Sequence, residues 1–411
     1  MKKILQLWLL LLPLLATSQT GWKTVNFNGL SATIYSDGTI EETQFTNVPG
    51  KNLIYSNHLW LAGQDMGGQL FISAQTYTSA GIEFQSGPIS TDVNVGMRFS
   101  KVWVVTRSQI DSLKQGLYST IPQDIANWPA HGDTSYGEAF YLAPFTDVDA
   151  NGIYEPNKGD FPCIKGDVCA FVIFNDDLAA IGVGPGLKAE FQLMVYGYNS
   201  IGNLNNAIFT DYKITNRSSN TYHNFITSNW VDFDIGNSLD DLMGTNVNTQ
   251  SIFAYNADTI DESLLGFGLN PPAVGISQLK GFDADLADGR DNDWDGCIDG
   301  VRDANGNCVP ESATNREQVL MSSSANYFNV FSPSTGNPFQ GIDHYQYMRG
   351  RWMDGNHVIL ETPCGFDCVS NGDGYVSADT GAFSNFVFPG NSYDTYGNNA
   401  PTAPSNWFSN P

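Results

Sequence analysis

The residues with the clearest chemical potential are aspartates between Asp283 and Asp303, where eight of 21 residues are Asp. Five of them are candidate ligands: Asp288, Asp291, Asp293, Asp295 and Asp299. Ca²⁺ takes about six to eight oxygen ligands, whereas neighbouring carboxylates without a cation repel one another by on the order of 1 kcal/mol per pair. We therefore predict a calcium loop over 283–303. The alternative is a disordered acidic loop, which the apolar Trp294 and Ile298 disfavour.

A second Asp-rich loop spans residues 147–167. Oxygen donors stand at alternate positions in Asp147, Asp149 and Asn151, followed by Gly152 for a sharp turn and the backbone carbonyl of Ile153. Alternate positions let a tight loop point its oxygens at one centre. Since the twelfth position is Lys158, the carboxylate that closes the shell must come from elsewhere, and Asp160 or Asp167 would supply it. The alternative to calcium here is a plain Asx-rich turn.

Two further acidic groups carry weaker metal predictions. The first lies at a strand end and comprises Asp232, Asp234, Asp240 and Asp241; the second comprises Asp367, Asn371 and Asp373. Asp and Asn also stabilise turns through their own side-chain hydrogen bonds. A capped turn therefore explains each group as well as a metal site does.

The six cysteines occur as three close pairs: Cys163 and Cys169, Cys297 and Cys308, and Cys364 and Cys368. We predict local disulfides within each pair, although six cysteines allow about fifteen connectivities and spacing alone does not exclude the others. A zinc or redox site is the alternative. It is disfavoured because there is no CxxC motif and no histidine nearby.

The N-terminus predicts export. Lys2 and Lys3 precede an apolar run that ends near Leu15 and a small-residue site at 16–18. This order is typical of a signal peptide over 1–18. The alternative, a membrane anchor, needs about 20 apolar residues. We expect a secreted or cell-surface protein with no membrane span in the mature chain.

Charge and composition limit the partners. The formal net charge is −24, and 33 of the 43 acidic residues are Asp. Nucleic acids and anionic membrane surfaces require clustered Lys and Arg, so we exclude both. Short Asp side chains suit oxygen-lined metal loops. Calcium is therefore the predicted cofactor, and surface glycans or like subunits are the remaining candidate partners.

Short β-branched and aromatic runs separated by turn residues predict an all-β fold of mainly antiparallel, sandwich-like sheets. The predicted strands include residues 24–35, 53–61, 70–77, 170–174 and 208–215. One short helix is expected over 107–116, with Ser108 as its N-cap and Gly116 as its stop. We expect two β-rich domains, 19–200 and 201–411, each carrying one of the Asp-rich loops.

The sequence carries no GxSxG elbow, HExxH, P-loop or dinucleotide fingerprint, so we predict that the protein is not an enzyme. A glycosidase is the alternative, since two suitably separated carboxylates suffice for that chemistry. Loop tryptophans offer another alternative, a glycan-stacking surface built from Trp128, Trp352 and Trp407.

Several motifs occur in one order, at residues 127–133, 141–167, 211–218, 230–236, 270–275 and 345–355. Over about residues 50–390 the chain thereby resembles an uncharacterised group of exported Bacteroidota proteins. Members of that group usually end in a sorting domain for type IX secretion, which implies display on or release from the cell surface. No β-rich sorting domain is visible after 388–390. The Asp-rich string at 288–299 also resembles the calcium loops of thrombospondin type 3 repeats.

Two tripeptides, 111–113 and 258–260, resemble the Asp-Ser/Thr-apolar O-glycosylation acceptor of that phylum, with Ser112 and Thr259 as acceptors. The leading hypothesis is a secreted or cell-surface, calcium-stabilised β protein with a structural or adhesive role. A glycan-binding module is the first alternative, and a secreted hydrolase is the second.

Overall fold

The N-terminal strands illustrate how local turn chemistry divides the chain. The computed structural model describes residues 20–78, 83–177, 183–293, 296–303, 305–312, 314–327, 336–360 and 382–384. The single strand expected over 24–35 is wrong: strands Trp22–Phe27 and Leu30–Tyr35 form a hairpin that closes with Phe27 opposite Leu30. The two residues between them are Asn28, at φ +78°, and Gly29. Asn-Gly favours the left-handed angles of a two-residue hairpin turn.

The described residues form mostly antiparallel β-structure with short helices. The strands are β1 (Trp22–Phe27), β2 (Leu30–Tyr35), β3 (Ile40–Phe45), β4 (Asn52–Gln64), β5 (Leu70–Ser73), β6 (Gln85–Ser86), β7 (Trp103–Thr106), β8 (Phe145–Thr146), β9 (Phe161–Pro162), β10 (Val168–Asn175), β11 (Ala189–Gly197), β12 (Phe209–Asn216), β13 (His223–Phe233), β14 (Asp241–Asn246), β15 (Ser251–Asn256), β16 (Ile260–Asp261), β17 (Gly268–Leu269), β18 (Ala273–Ser277), β19 (Gly300–Arg302), β20 (Cys308–Pro310), β21 (Val358–Leu360) and β22 (Ala382–Ser384). The helices are α1 (Val95–Phe99), α2 (Arg107–Lys114), α3 (Gln123–Ala126) and α4 (Gly341–Met348). The all-β prediction is confirmed, with more short helices than the one expected.

Two large sheets pack face to face. The first has the order β1-β2-β3-β4-β13, with β5 also paired with β4; the second has the order β12-β11-β10-β6, with β7 paired with β10. Between them lies a core that joins Phe27, Ile34 and Leu61 of the first sheet to Phe174 and Phe191 of the second. The latter two rings stack with centroids 4.7 Å apart. The architecture is therefore a β-sandwich.

Additional layers cover the outer face of each sheet. Alternate residues of β10 turn Phe171 and Ile173 away from the sandwich core, into a cluster that also buries Ile110 of α2 and Ile125 of α3. On the first sheet, α4 packs its residue Tyr345 against the outward-facing side chains of β4 and β5. Strand β10 is thus buried on two faces, which explains why it is apolar at nearly every position.

Residues 208–235 contain two successive strands, β12 and β13, that belong to different sheets. Strand β12 pairs with β11, whereas β13 pairs with β4. The turn between β12 and β13 therefore crosses from one sheet to the other. Both large sheets include strands from either side of residue 200.

The N-cap of helix α2 lies two residues before the predicted one. Its N-cap is Thr106, whose side chain accepts a hydrogen bond from the backbone N–H of Gln109. The Gln109 side chain in turn accepts from the backbone N–H of Thr106, which completes a capping box. The prediction of Ser108 was wrong because the Thr-x-x-Gln pattern satisfies two free backbone donors at once. Among the described residues, no helix has the length and apolar character needed to span a bilayer.

Candidate metal centre

The loop that begins at Asp291 is folded by its own first carboxylate. Asp291 Oδ2 accepts the backbone N–H of Gly296 at 2.9 Å, and Gly296 has φ +89°. A residue with a Cβ would be strained at that angle. The sharp turn and the hydrogen bond together hold the Asp291 side chain toward the inside of the loop.

Three carboxylates meet at this loop. One oxygen each from Asp291, Asp293 and Glu317 lie within 4.8 Å of one another. Glu317 is only 1% exposed, and the two aspartates are half-buried. Within the described residues, no other group of three acidic, histidine or cysteine side chains meets that distance.

Glu317 is held by backbone donors from two different segments. Its Oε1 accepts from Gly300 N at 3.0 Å, and its Oε2 accepts from Asn292 N at 3.0 Å. Its own N–H donates to Glu311 Oε1 at 3.0 Å, and its carbonyl accepts from Ala284 N. The carboxylate therefore occupies a position that four parts of the loop region determine together.

A disulfide and a hairpin fix the exit of the loop. Cys297 and Cys308 are bonded, with their Cα atoms 5.5 Å apart, as predicted. Strands β19 and β20 pair beside the bond. Their turn is closed by Asp303, whose Oδ1 accepts from Asn305 N at 2.8 Å and from Asn307 N at 2.9 Å. These backbone bonds, with that of Asn307 the largest cause, lower the pKa of Asp303.

The other predicted ligands of this loop have different partners or lie elsewhere. Asp288 Oδ1 accepts from Arg290 N at 2.9 Å, and Asp299 Oδ1 accepts from Gly289 N at 2.8 Å. Asp288 therefore stabilises a local turn, whereas Asp299 joins two segments that are ten residues apart in the chain. Asp295 lies outside the described residues.

Glu317 was missed by the sequence reasoning. It follows the Asp-rich string by many residues and stands alone between Arg316 and Gln318. No local spacing rule connects it to Asp291. Its burial and its hydrogen bonds to Gly300 and Asn292 depend on tertiary folding.

The loop at 147–152 repeats the first-carboxylate geometry. Asp147 Oδ2 accepts from Gly152 N at 2.6 Å, Gly152 has φ +80°, and this bond is the largest cause of a lowered pKa of Asp147. The Asn151 amide donates to Asp149 Oδ2 at 3.0 Å, and Asn151 Oδ1 accepts from Ile153 N at 2.7 Å. These are the hydrogen bonds of an Asx-rich turn, which both a calcium loop and a plain turn would contain. Calcium binding therefore remains a prediction for this loop.

Asp160 is a buried anchor of that loop. It is 1% exposed; its Oδ1 accepts from Val148 N at 2.8 Å and its Oδ2 from Glu155 N at 2.7 Å. Both oxygens thus receive backbone hydrogen bonds across the loop. Charge-assisted bonds of this kind are about twice as strong as neutral ones, so Asp160 stabilises the loop whether or not an ion binds.

The aspartates of the third acidic group have different hydrogen-bond partners. Asp232 Oδ2 accepts from the hydroxyl of Tyr77 at 2.8 Å, and burial is the main reason that the pKa of Asp232 is raised. In addition to burial, the charge of Asp234 raises the pKa of Asp232 and also that of Asp241. Asp261 and Asp240 act on the pKa of Asp241 in the same direction. The fourth group, Asp367, Asn371 and Asp373, lies outside the described residues.

The predicted disulfide between Cys163 and Cys169 is wrong, because both are free thiols. Cys169 is 1% exposed and belongs to the buried cluster on the outer face of the second sheet. Cys163 is exposed, and its Sγ contacts Thr146 Oγ1 at 3.4 Å. The alternation of β10 turns Cys169 into the protein interior, away from the surface loop. Cys364 and Cys368 lie outside the described residues.

Two loop tryptophans expected to form a contact surface are core residues instead. Trp128 is 4% exposed and Trp352 is 1% exposed. Trp128 Nε1 donates to Pro144 O at 3.0 Å, which satisfies its polar atom inside the core. Trp407 lies outside the described residues. The glycan-stacking surface predicted from these tryptophans is therefore wrong for Trp128 and Trp352.

The predicted glycosylation acceptors stand in different settings. Ser112 lies half-buried on α2, whereas Thr259 is exposed in the turn before β16. A transferase needs access to the hydroxyl and to extended backbone around it, so Thr259 is the more accessible acceptor. Both remain predictions.

No protein-family model, curated protein or solved structure matches this chain. The functional argument therefore depends on the three-carboxylate group and its supporting loops.

Proposed function

We propose that this is an exported, calcium-stabilised β-sandwich protein with a structural or adhesive role outside the cytoplasm, and that it carries out no catalysis. The observation that carries the proposal is the convergence of Asp291, Asp293 and Glu317 within 4.8 Å. Two of the three were candidates from spacing alone, and the third comes from a distant part of the chain.

The chemistry of the donors favours a hard cation. All three side chains present carboxylate oxygens, and Ca²⁺ is bound by about six to eight such oxygens at around 2.3–2.6 Å. The Cys297–Cys308 disulfide supports an oxidising compartment. Extracellular calcium modules bind with dissociation constants of about 10⁻⁴–10⁻³ M, which suits a site of three carboxylates on a partly exposed loop.

The ion would have a clear mechanical effect. Asp291 and Asp293 belong to the loop before β19, whereas Glu317 follows β20. A bound cation would therefore join the entry and the exit of a region that has little regular secondary structure. Ordering such a region costs about 1–2 kcal/mol per residue in backbone entropy, and the cation and the disulfide together would offset part of that cost.

The experiment is a thermal melt of the mature chain in calcium and in chelator, with metal content measured on the same samples. Ligand at about 100 times its dissociation constant stabilises by roughly 2.7 kcal/mol. A mature chain of about 390 residues has an unfolding entropy of roughly 0.8 kcal/mol/K, so we expect Tm to rise by about 3 °C. Asp291→Asn keeps an oxygen for the Gly296 N–H and removes one charge. It should lose most of that rise and one bound ion.

Asp285→Asn is the matched control. Asp285 is exposed in the same stretch but lies outside the three-carboxylate group, so this variant should respond to calcium as the native chain does. Metal-free native protein with the same Tm in calcium and in chelator would overturn the proposal. An equal loss of the calcium-induced rise in Tm in D291N and D285N would show that the rise depends on the total negative charge and not on the three-carboxylate group.

Glycan binding is the second candidate, supported by a different surface. Phe140 and Tyr141 are 41% and 60% exposed, and their rings lie 4.9 Å apart. Exposed aromatic rings provide flat apolar area at low entropic cost. Glycan-array binding that Tyr141→Ala abolishes, and that Tyr136→Ala at another exposed tyrosine retains, would support this candidate; no binding by the native chain would reject it.

A further inference from the structure

Three side-chain oxygens beside strand β14 are buried and have no hydrogen-bond partner. They are Asp240 Oδ1, Asp241 Oδ1 and Asn256 Oδ1. All three are acceptors at neutral pH, so none can satisfy another. Leaving a buried acceptor unpaired costs about 1–3 kcal/mol. Three such oxygens together therefore indicate that a hydrogen-bond donor or a cation binds there.

The sheet register places two of these residues, Asp241 and Asn256, side by side. Asp241 is the residue directly opposite Asn256 in the β14–β15 pair, and opposite residues of an antiparallel pair direct their side chains to the same face, with Cβ atoms about 4.5–5.5 Å apart. Asp240 precedes Asp241, and its carbonyl accepts the N–H of Ala257 at 3.0 Å. The same two backbone segments therefore supply all three oxygens.

The hydrogen bonds of its Nδ2 atom orient the Asn256 side-chain amide. Asn256 is 5% exposed, and its Nδ2 donates to the carbonyls of Asp258 at 3.4 Å and Ile260 at 3.3 Å. Carbonyls only accept hydrogen bonds, which assigns the amide nitrogen to that side. Asn256 Oδ1 must then be the atom that remains unpaired, on a side chain more than nine-tenths buried.

The surroundings are strongly negative. Asp234 and Asp261 add their charges to those of Asp240 and Asp241, and Asp261 is 1% exposed. Within the described residues, none of these four carboxylates forms an ion pair with a lysine or arginine. The lysine that reaches this region, Lys51, donates to the carbonyl of Gly266.

The two oxygens of the Asp241 carboxylate are in different environments. Asp241 Oδ2 accepts from Ile235 N at 2.8 Å, so one oxygen is engaged while the other is unpaired. Burial, followed among the raising effects by the charges of Asp234 and Asp261, raises the pKa of Asp241 to about 6. A proton on Asp241 would satisfy one acceptor pair, whereas a divalent cation would satisfy all three oxygens and offset the neighbouring charges.

We propose that Asp240, Asp241 and Asn256 form a second site for a hard divalent cation, calcium being the first choice. The choice of ion rests on the proposed function, but the residues are separate from Asp291, Asp293 and Glu317. Bound there, the cation joins the start of β14 to the end of β15. The ligand class is oxygen-only, with carboxylate and amide donors.

The test measures calcium per chain and Tm in calcium and in chelator for the mature protein and matched variants. Asp241→Asn and Asp240→Asn should each bind one ion fewer than the native chain and lose part of the calcium-induced rise in Tm. In chelator, each should melt at or above the native Tm, because the new amide N–H pairs with an orphaned acceptor and one charge is removed. Glu262→Gln, on the exposed turn after Asp261, is the control and should match the native chain.

The outcomes separate this site from the first one. If D291N loses one ion while D241N and D240N retain the native number, the second site is wrong and the proposed function stands. If D241N and D240N each lose one ion while D291N loses none, the first site is wrong and the second stands. A third outcome overturns the proposal. In it, D241N and the native chain bind the same number of ions, and in chelator their Tm values are equal near pH 4 whereas D241N has the higher Tm near pH 8. That result identifies a proton, and not a cation, as the partner of Asp241.

Discussion

Glu317 Oε1 accepts the backbone N–H of Gly300 at 3.0 Å, seventeen residues earlier in the chain. The same carboxylate comes within 4.8 Å of the Asp291 and Asp293 carboxylates. One buried side chain thus closes the loop mechanically and completes the candidate calcium centre. Structural and ion-binding contributions of Glu317 must be separated by experiment.

Replacing Glu317 with alanine should destabilise the protein even without metal. The buried Gly300 N–H and the Asn292 N–H would lose their acceptor, and each unpaired donor costs about 1–3 kcal/mol. We expect the free energy of unfolding, measured by urea denaturation in chelator, to fall by about 2–6 kcal/mol. Glu262→Ala, at an exposed site, is the control, and an equal effect of the two variants would contradict the buried role of Glu317.

Removing the disulfide with Cys297→Ser and Cys308→Ser should weaken both stability and calcium binding. The bond closes a short loop with a sequence separation of 11, for which chain entropy predicts a loss of about 3 kcal/mol. A looser loop also binds the ion less tightly, so the calcium titration should move to higher concentration. Cys163→Ser, at an exposed free thiol, should change neither quantity.

The free thiols should react at very different rates. Cys163 is exposed and Cys169 is buried, and burial raises the pKa of the Cys169 thiol to about 12. The reactive species is the thiolate, so an alkylating reagent should modify Cys163 in the native protein and Cys169 only after unfolding. Peptide mass spectrometry resolves the two sites; a Cys163–Cys169 disulfide peptide from non-reduced protein would contradict the structure.

Glu83 should make stability fall as pH rises. It is 8% exposed, its Oε1 accepts from Val183 N at 2.8 Å, and burial is the main cause that raises its pKa from 4.5 to about 7. A carboxyl group with a raised folded-state pKa stabilises fully below its unfolded pKa and loses that contribution as pH rises through the folded value. Its effect should therefore disappear between about pH 4.5 and pH 7.

Glu83→Gln keeps an acceptor for the Val183 N–H but cannot ionise. The Tm of this variant should exceed that of the native chain by several degrees more at pH 8 than at pH 4, because the native chain must hold a buried charge at the higher pH. Glu262→Gln makes the same carboxylate-to-amide change at an exposed site and is the control. A pH-independent difference for Glu83→Gln would reject the titration of Glu83.

Patterns that act over a few residues were readable in the sequence. The density of Asp residues over 283–303 predicted a loop that contains Asp291 and Asp293, and the short interval from Cys297 to Cys308 predicted their disulfide. Turn geometry and short-range bonding depend on neighbours in the chain. The same kind of local signal at Asn28 and Gly29, an Asn-Gly hairpin turn, was available and was missed.

Features that depend on distant neighbours required the folded protein. Strand β13 pairs with β4 rather than β12, Glu317 reaches Asp291, and Cys169 turns into the interior. Spacing cannot predict such contacts, because hydrophobic burial and sheet pairing over the whole chain select them. By itself, therefore, the sequence determined the all-β class and the local Asp-rich loops, while tertiary packing decided which carboxylates meet and which remain in their own turns.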